Sequence, residues 1–561
     1  MSDDNAAVLA AAHASMLAQL RRPGACAGHP DAAGLLQTHI SSLLLAGSRV
    51  FKLLRPVALP FVDFSSIDKR HAACLEELRL NRRTAPHWYQ AVLPVLDDGG
   101  GAFLPAPGPR PPAGRVLDWA VQMRRFDDQQ LYSRLAAQGR LAPPQVDALA
   151  AAVAAFHNTL PPSPPGFGDP QALRAMAALN LGELAALLAG PPWQGLPGAA
   201  AAAATVARLQ AWAAATGAVL APTMAARQAA GDVRECHGDL HLANVVWADG
   251  APVLFDALEF DAQLRHTDVV GDAAFAFMDL LAAGAPGLAW RFASAWLEAT
   301  GQHAGLPLLA WWAVHRAAVR AKVALLSVPT VPASTAWPAG LLRYLAVADH
   351  LAAPARPAPA LVLTCGLSGS GKSLVAAAMA ERLGGIRLRS DVERKRLFGL
   401  APAARGGPQV YTPEAGVRTY ARLQQLAAAA LAAGVPVVVD AASLQHAERA
   451  AMQAMAAACG APFRLLLCTA PPAVLAQRVA ARLAVGQDAS DATPEVLARQ
   501  QQWVQWPGPD EADHTWCLDT DAPLAAVLAR VQSLQLPAEG RSGPAARCLP
   551  TPPAAGCDGQ T

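Results

Sequence analysis

Lysine is nearly missing from this chain. Five occur in 561 residues, Lys52, Lys69, Lys322, Lys372 and Lys395, and arginine carries the rest of the positive charge. Where a composition avoids a residue so strongly, each survivor needs a reason, and two of the five fall where a lysine is expected to hold phosphate. Long apolar runs are also missing: no stretch of about 18 or more strongly hydrophobic, uncharged residues occurs, so no spanning helix is expected. The mean hydropathy of +0.22 reflects alanine rather than membrane. The first twenty residues begin with Asp3 and Asp4 and have neither the basic stretch nor the apolar core of a secretory signal, which makes a cytoplasmic location the expectation. The nine cysteines are scattered, odd in number and without a C-x-x-C pair, which argues against a disulfide framework and against a zinc site. A formal net charge of +2 on so long a chain gives no global field to recruit nucleic acid or anionic lipid, and neither is expected as a partner.

What is present is apolar material in excess of one core. With 53% hydrophobic residues over this length, at least two domains follow, because cores stop growing near roughly 250 to 300 residues. Residues 38–58 read as a hairpin, with Leu43 to Ala46, a turn at Gly47-Ser48, and then Val50-Phe51-Lys52. Arg70 to Asn81 reads as a helix. Strands are expected at Tyr89 to Leu96 and Arg115 to Met123, around a Gly/Pro-rich loop from Asp97 to Gly114. From Asp127 onward the pattern becomes Ala/Leu helices with Pro-rich joints, interrupted by a short polar loop at His237 to Asn244 and two brief strands, and it runs on to about Leu351. Residues 353–360 read as a Pro/Ala linker. Beyond it, strands at Leu361 to Cys365, Ile386 to Leu388, Val435 to Val439, Phe463 to Leu467 and Trp516 to Leu518 alternate with helices, the pattern of a parallel sheet covered on both faces. The Pro/Gly-rich tail from 537 to 561 is expected to be disordered.

In this C-terminal part, Gly366-Leu367-Ser368-Gly369-Ser370-Gly371-Lys372-Ser373 fits G-x-x-x-x-G-K-[ST] at every fixed position, between a predicted strand and a predicted helix. The chemistry asks for this arrangement. The glycines let backbone N–H groups surround phosphate oxygens, Lys372 reaches the β- and γ-phosphates of ATP, and the Ser373 hydroxyl ligates Mg²⁺. Asp440 ends the strand Val437-Val438-Val439 and reads either as the aspartate that holds Mg²⁺ or as a turn cap. Asp391, in Arg389-Ser390-Asp391, reads as the proton acceptor for a substrate hydroxyl, as an N-cap, or as both. Arg478 and Arg482 lie four apart, which suits either developing phosphate charge or a solvated helix face. With Ala489-Ser490-Asp491-Ala492, these features resemble the small P-loop kinases related to gluconate kinase and to zeta-toxin-like proteins.

A second set of phosphate-handling residues precedes it. His237-Gly238-Asp239-Leu240-His241-Leu242-Ala243-Asn244 places an Asn five residues after an Asp, and Phe255-Asp256 follows at the end of a short strand. That is the spacing of a kinase catalytic loop, in which Asp239 orients and deprotonates the acceptor while Asn244 and Asp256 hold Mg²⁺. His237 reads as a packing residue. The loop resembles that of the aminoglycoside phosphotransferase family, over about residues 35–350. The resemblance implies that Lys52 pairs with the α/β-phosphates and that Glu77 is its helix partner, with Glu76 as the alternative. It also implies a hinge at Arg124 to Phe126 that meets adenine, and a bracing role for Asp268 and Asp272. No G-x-G-x-x-G lies in the first hairpin, so phosphate cover would come from another turn, such as Thr38 to Ser42.

The expected architecture is therefore an α+β protein-kinase-like (aminoglycoside phosphotransferase) two-lobed domain over residues 1–352, with a small lobe at about 35–123 and a helical lobe at about 127–351. An α/β P-loop NTPase domain with a parallel sheet follows over 361–536. The pairing resembles bacterial bifunctional proteins that join an aminoglycoside phosphotransferase to an AAA-family ATP-binding protein. It implies ATP and Mg²⁺ at both sites and small hydroxylated acceptors as partners. Two alternatives stay open: a P-loop enzyme with a regulatory N-terminal half, and an ATP-sensing protein that binds a partner. The helical part offers few acids beyond Asp127, Asp128, Asp147, Asp169 and Glu183, which does not favour a polycationic sugar as acceptor.

Overall fold

The computed structural model describes residues 3–38, 40–59, 62–106, 113–327, 336–353, 358–485 and 489–536. The tail from 537, and residues 354–357 of the expected linker, lie outside the described residues. The chain divides into two compact units, Met1–Ala285 with Leu308–Ala352, and Pro286–Pro307 with Ala353–Thr561.

The first unit opens with a helix, Asp3–Leu20, and then builds a six-stranded antiparallel sheet. Its spatial order is Gly34–Gln37, Ser41–Ala46, Arg49–Leu54, Arg115–Arg124, Tyr89–Asp97 and Ala102–Phe103. The hairpin read from Gly47-Ser48 pairs Ala46 with Arg49 and Leu43 with Lys52. One face of the sheet buries Leu44, Phe51, Leu53, Val95 and Ala120 against Met16, Leu17 and Leu20 of the opening helix. Each of these Leu, Val, Phe and Met side chains contributes roughly 1.5–3 kcal/mol of transfer free energy. The helix Ile67–Asn81 crosses the other face, its start fixed by Ser66, whose Oγ accepts from Lys69 N at 3.3 Å.

The remainder of the unit is helical. The many prolines that punctuate it serve as helix starters: Pro143 and Pro170 occupy first turns, where a missing N–H costs nothing. Two short antiparallel pairs are inserted, Val245–Ala248 with Ala251–Leu254 and Val233–Glu235 with His266–Asp268. The helix Val269–Ala282 that follows is buried nearly throughout.

Buried histidines give this unit a pH signature. His13 is held near pKa 4 by burial and by Arg70 and Arg55, and His315 near 3 by burial, Arg316 and Lys322. The unfolded chain takes up a proton on each below about pH 6.5, and the fold refuses it. Stability is thus present above that pH and falls as pH drops toward the folded values, by ~1.4 kcal/mol per pH unit for each histidine. Calorimetric melts should show the first unit's Tm falling between about pH 6.5 and about pH 5; a flat Tm there would contradict the neutral assignment.

The second unit is an all-parallel five-stranded sheet in the order Ile386–Arg389, Val437–Asp440, Leu361–Cys365, Phe463–Thr469, Thr515–Asp519. All five overlap the strands expected from the sequence. One difference concerns the helix Pro286–Thr300, which the sequence reading runs into the first domain. It falls in the second unit, on the helix Lys372–Leu383 and the strand Ile386–Arg389. It buries Ala289, Phe292, Ala293, Trp296 and Leu297, and forms ion pairs from Arg291 to Glu381 at 2.7 Å and from Glu298 to Arg387 at 2.9 Å. Amphipathic spacing announces a helix but not the surface it covers. Among the described residues no helix is long and apolar enough to cross a membrane.

Candidate active sites

The central strand Leu361–Cys365 is buried from end to end and leads through the glycine-rich loop into the helix Lys372–Leu383. Glycine is demanded at two points by space as well as by dihedral angle. Gly366 has φ +147°, and a Cβ there would lie 2.4 Å from the Cys468 carbonyl oxygen; Gly369 has φ +84°, and its Cβ would meet the Leu475 oxygen at 2.6 Å. Gly371 caps the helix in the left-handed region. Side chains from later in the chain finish the loop, since Gln500 Oε1 accepts from Ser368 N at 2.9 Å and Thr520 Oγ1 donates to Ser370 O at 3.0 Å. Gly369→Ala should therefore force backbone against backbone, at a cost of ~1–3 kcal/mol in the second unit, and remove its nucleotide binding. Thermal melts and calorimetry check this, and an unchanged variant would show that the loop has slack.

Lys372 Nζ donates to Leu367 O at 2.7 Å and reaches Ser370 Oγ at 3.5 Å, so the ammonium lies over its own loop. Burial lowers its pKa, and the charge of Asp440 opposes that. Asp440 is itself buried, and its Oδ2 has no hydrogen-bond partner among the described residues. Arg389 Nε pairs with it at 3.6 Å, at ion-pair rather than hydrogen-bond distance. A buried carboxylate oxygen without a hydrogen bond is costly unless further positive charge completes it. With the half-buried Ser373 at the helix start, Asp440 makes an all-oxygen donor set of the kind a hard dication takes, so the residues present fit Mg²⁺.

The other expected residues of this site separate into distinct environments. Asp391 sits in the first turn of the helix Ser390–Leu397, whose cap position is Arg389, so the N-cap reading of Asp391 does not hold. Burial raises its carboxyl above the usual range, against the pull of Arg394 and Arg389. Arg478 is tied down, donating to Thr520 O at 2.8 Å, Thr520 Oγ1 at 3.2 Å and Gly369 O at 3.4 Å. It fixes the loop rather than standing free beside Arg482, whose Nη2 is buried without a partner among the described residues. Asp491 accepts from Lys395 Nζ at 3.1 Å and Gly406 N at 2.8 Å, and from the Tyr411 hydroxyl. That gives the fully buried Lys395 a structural reason to survive.

In the first unit, Lys52 on the strand Arg49–Leu54 bridges Glu77 Oε1 at 2.9 Å and Asp256 Oδ1 at 2.8 Å. Glu77 is completely buried, whereas Glu76 is half-exposed and spent on Arg79 and Arg265, so the choice between them falls to Glu77. Asp256 follows the strand Ala251–Leu254 with φ +61°, a strained value for a residue with a side chain. Its N–H donates to Tyr89 Oη at 3.1 Å, and the next N–H, of Ala257, to Asn81 Oδ1 at 2.8 Å, which holds the strain in place. Asp239 accepts from Asn244 Nδ2 at 3.1 Å and faces His241 Nε2 at 3.4 Å. Burial pushes the Asp239 carboxyl up, but His241, Arg320 and His237 hold it below the usual carboxylate range. Donors here are again carboxylate and amide oxygens, and the site fits Mg²⁺ on the same chemical grounds.

The loop rests on two acids of the helix Val269–Ala282. Asp272 accepts from Gly238 N at 2.8 Å, His237 N at 3.2 Å and His157 Nε2 at 3.0 Å. Asp279 accepts from Leu242 N at 2.9 Å. Asp268, expected beside Asp272, instead grips Arg227 at 2.7 and 2.8 Å and caps the helix. His237 packs as expected, its Nε2 2.9 Å from Phe255 O.

A family model described as an AAA domain matches residues 361–507. The match spans the glycine-rich loop and four of the five parallel strands. Over 520 residues the chain is 28% identical to uncharacterized proteins of Mycobacterium tuberculosis and Mycobacterium bovis, across 88% of its own length and 98% of theirs. A gluconokinase from Sinorhizobium meliloti 1021 is 24% identical over 32% of this chain and 91% of its own, with a TM-score of 0.24. A choline/ethanolamine kinase family protein from Mesorhizobium loti covers 58% of this chain and 89% of its own at 11% identity, with a TM-score of 0.34. TM-scores this low carry no inference about activity.

In the expected hinge, Arg124 N and Arg125 N donate to Trp88 O and Ser48 O at 2.9 and 2.8 Å. The turn from Thr38 bonds within itself, Thr38 N to Ser41 O at 2.8 Å and Ser41 N to Thr38 Oγ1 at 3.0 Å, and His39 lies outside the described residues. Glu259 is a residue that the sequence reading passes over. It is buried, its Oε1 lacks a hydrogen-bond partner among the described residues, and burial pushes its pKa up to about 8 against the pull of Lys52. The signal available was an acid three residues after Asp256 in an otherwise apolar run.

Proposed function

We propose that the chain is a MgATP-dependent phosphotransferase with two sites, each moving the γ-phosphoryl group of ATP to a small hydroxylated acceptor. One observation carries the reading for the first unit: Lys52, Glu77 and Asp256 are joined at 2.8 to 2.9 Å, and Asp239 and Asn244 at 3.1 Å. A chain losing this activity sheds members of such a set, and none is lost. Lys52, positioned by Glu77, would meet the α/β-phosphates; Asp239 would orient the acceptor hydroxyl and take its proton as the new O–P bond forms and the bond to the ADP leaving oxygen breaks. Asn244 and Asp256 would hold Mg²⁺ here, and Ser373 and Asp440 in the second unit, where the ion neutralises charge on the phosphates. In the second unit the loop N–H groups and Lys372 would cradle the β- and γ-phosphates, with Asp391 beside the acceptor. Its raised pKa makes it a stronger base than an ordinary carboxylate, better able to take the hydroxyl proton. Arg482, whose Nη2 has no hydrogen-bond partner among the described residues, would meet developing charge.

The test follows the label. Full-length protein incubated with γ-labelled ATP and the small-molecule fraction of a cell extract should place label on organic acceptors. Asp239→Asn should remove one part of it and Lys372→Ala the other. Label recovered only as inorganic phosphate would put an ATP-sensing, slowly hydrolysing protein in this reading's place.

A further inference from the structure

Lys52 bonds two acids that differ in access: the Glu77 side chain is completely buried, whereas 43% of the Asp256 side chain is exposed. A third acid, Glu259, belongs to the same cluster, and the backbone that carries it is pinned residue by residue. Asp256 N donates to Tyr89 Oη at 3.1 Å, Ala257 N to Asn81 Oδ1 at 2.8 Å and Leu258 N to His237 O at 3.0 Å, while Glu259 O accepts from Arg265 Nη1 at 3.1 Å. Glu259 is thereby held inside the fold, with its Oε1 buried and without a hydrogen-bond partner among the described residues. Burial pushes its carboxyl up, Lys52 pulls it down with help from its own backbone N–H, and Glu77 and Asp256 oppose that pull. Against burial, the Lys52 ammonium is in turn kept charged by Asp256, Glu77, Glu259 and Tyr89.

Three carboxylates thus surround one ammonium, which bonds only two of them. A buried acid with an unpaired oxygen is costly, and it is worth keeping if another state of the site uses it. Asp256 supplies that state. As a ligand of Mg²⁺ it gives its charge to the ion and no longer serves Lys52, which keeps only Glu77 while it has to be held on the α/β-phosphates. Glu259 meets the need: it is already buried in the cluster, it is already drawn to Lys52, and neutralising Asp256 removes one of the two like charges that disfavour its own.

We propose that Glu259 is a positioning residue of the first unit's site, taking over from Asp256 as the second carboxylate that holds Lys52 once Asp256 binds Mg²⁺ with the nucleotide. It acts through Lys52 rather than on the nucleotide. The inference rests on the reading of Asp256 as a Mg²⁺ ligand and of Lys52 as the lysine that meets the phosphates.

The full-length Lys372→Ala protein, with its second site silenced, is the material for the test. Calorimetry measures the affinity for a non-hydrolysable ATP analogue with excess Mg²⁺ and with EDTA, and the ratio of the two is the Mg²⁺ enhancement. Glu259→Gln, nearly the same in shape but without charge, should cut that ratio by about tenfold or more, the effect of one charge-assisted contact. Its affinity in EDTA should hold or rise, because Lys52 then still has Glu77 and Asp256. Glu259→Asp, which keeps the charge on a side chain one methylene shorter, should lose less of the ratio. Thermal melts of the nucleotide-free variants read the fold; if Glu259→Gln does not fold, Glu259→Asp decides by the same ratio. An unchanged ratio in the folded variant would overturn the inference. So would equal weakening with and without Mg²⁺, which marks a residue that serves only the structure. If the parent protein shows no Mg²⁺ enhancement at the first site, the reading of Asp256 fails, and this inference with it.

Discussion

Asp239→Asn leaves the first unit folded and binding MgATP while its phosphoryl transfer falls by ~10²–10⁴-fold, the range a positioned general base supplies. The side chains have the same shape, so Asn keeps the space between Asn244 and His241. It cannot take a proton and it loses the charge that His241 and Arg320 surround. Fold should survive because the loop is anchored elsewhere: Asp272 holds Gly238 N and His237 N, Asp279 holds Leu242 N, and Arg316 Nη1 donates to Gly238 O at 3.3 Å. Nucleotide affinity should survive because Lys52, Glu77 and Asp256 are untouched. The measurement is single-turnover ADP formation in the Lys372→Ala background. Unchanged turnover would remove Asp239 from the chemistry.

Lys372→Ala should weaken ATP at the second unit by at least about a hundredfold, since truncating a desolvated charge pair costs ~3 kcal/mol or more. Lys372 is the one lysine of the glycine-rich loop. Its ammonium lies over the loop at Leu367 O and within the influence of Asp440, whose Oδ2 has no hydrogen-bond partner among the described residues. Other cations of this site are engaged elsewhere: Arg478 is bound to Thr520 and Gly369, Lys395 to Asp491 and Pro402 O, and Arg389 is paired with Asp440 at 3.6 Å. The loop should keep its shape, because Gly366, Gly369, Gln500 and Thr520 set it by backbone and side-chain contacts that do not involve Lys372. Equilibrium titration with a fluorescent ATP analogue reads the loss, and circular dichroism confirms the fold; full affinity in a folded variant would mean the loop amides alone bind the phosphates.

Much of this was legible because the signals are local. A glycine loop after an apolar run, an Asn five residues past an Asp, and lysines surviving in a chain that avoids them all lie within short windows, and they name Lys52, Asp239, Asn244, Asp256, Lys372 and Asp440. The strands of the parallel sheet announce themselves by apolar runs for the same reason. What stayed hidden is decided by partners far along the chain. Arg478 and Arg482 lie four apart on one helix, and it takes Gly369 and Thr520, the latter 42 residues beyond Arg478, to tether the first of them. Pro286–Thr300 has an ordinary amphipathic pattern, and its place is set by Glu381 and Arg387, about ninety residues away. Asp279, which no local signal marks, braces the loop where the resemblance implies Asp268, because Arg227 claims Asp268 while Leu242 and Tyr344 bond Asp279.

Titration calorimetry of the full-length protein with a non-hydrolysable ATP analogue and Mg²⁺ tests the central claim most directly. Two separately equipped units should bind about two nucleotides per chain, falling to about one in Lys372→Ala and in Lys52→Ala and to almost none in the double variant. A single Lys372→Ala substitution that abolished all binding in a folded protein would contradict the account, leaving the first unit without a nucleotide site of its own.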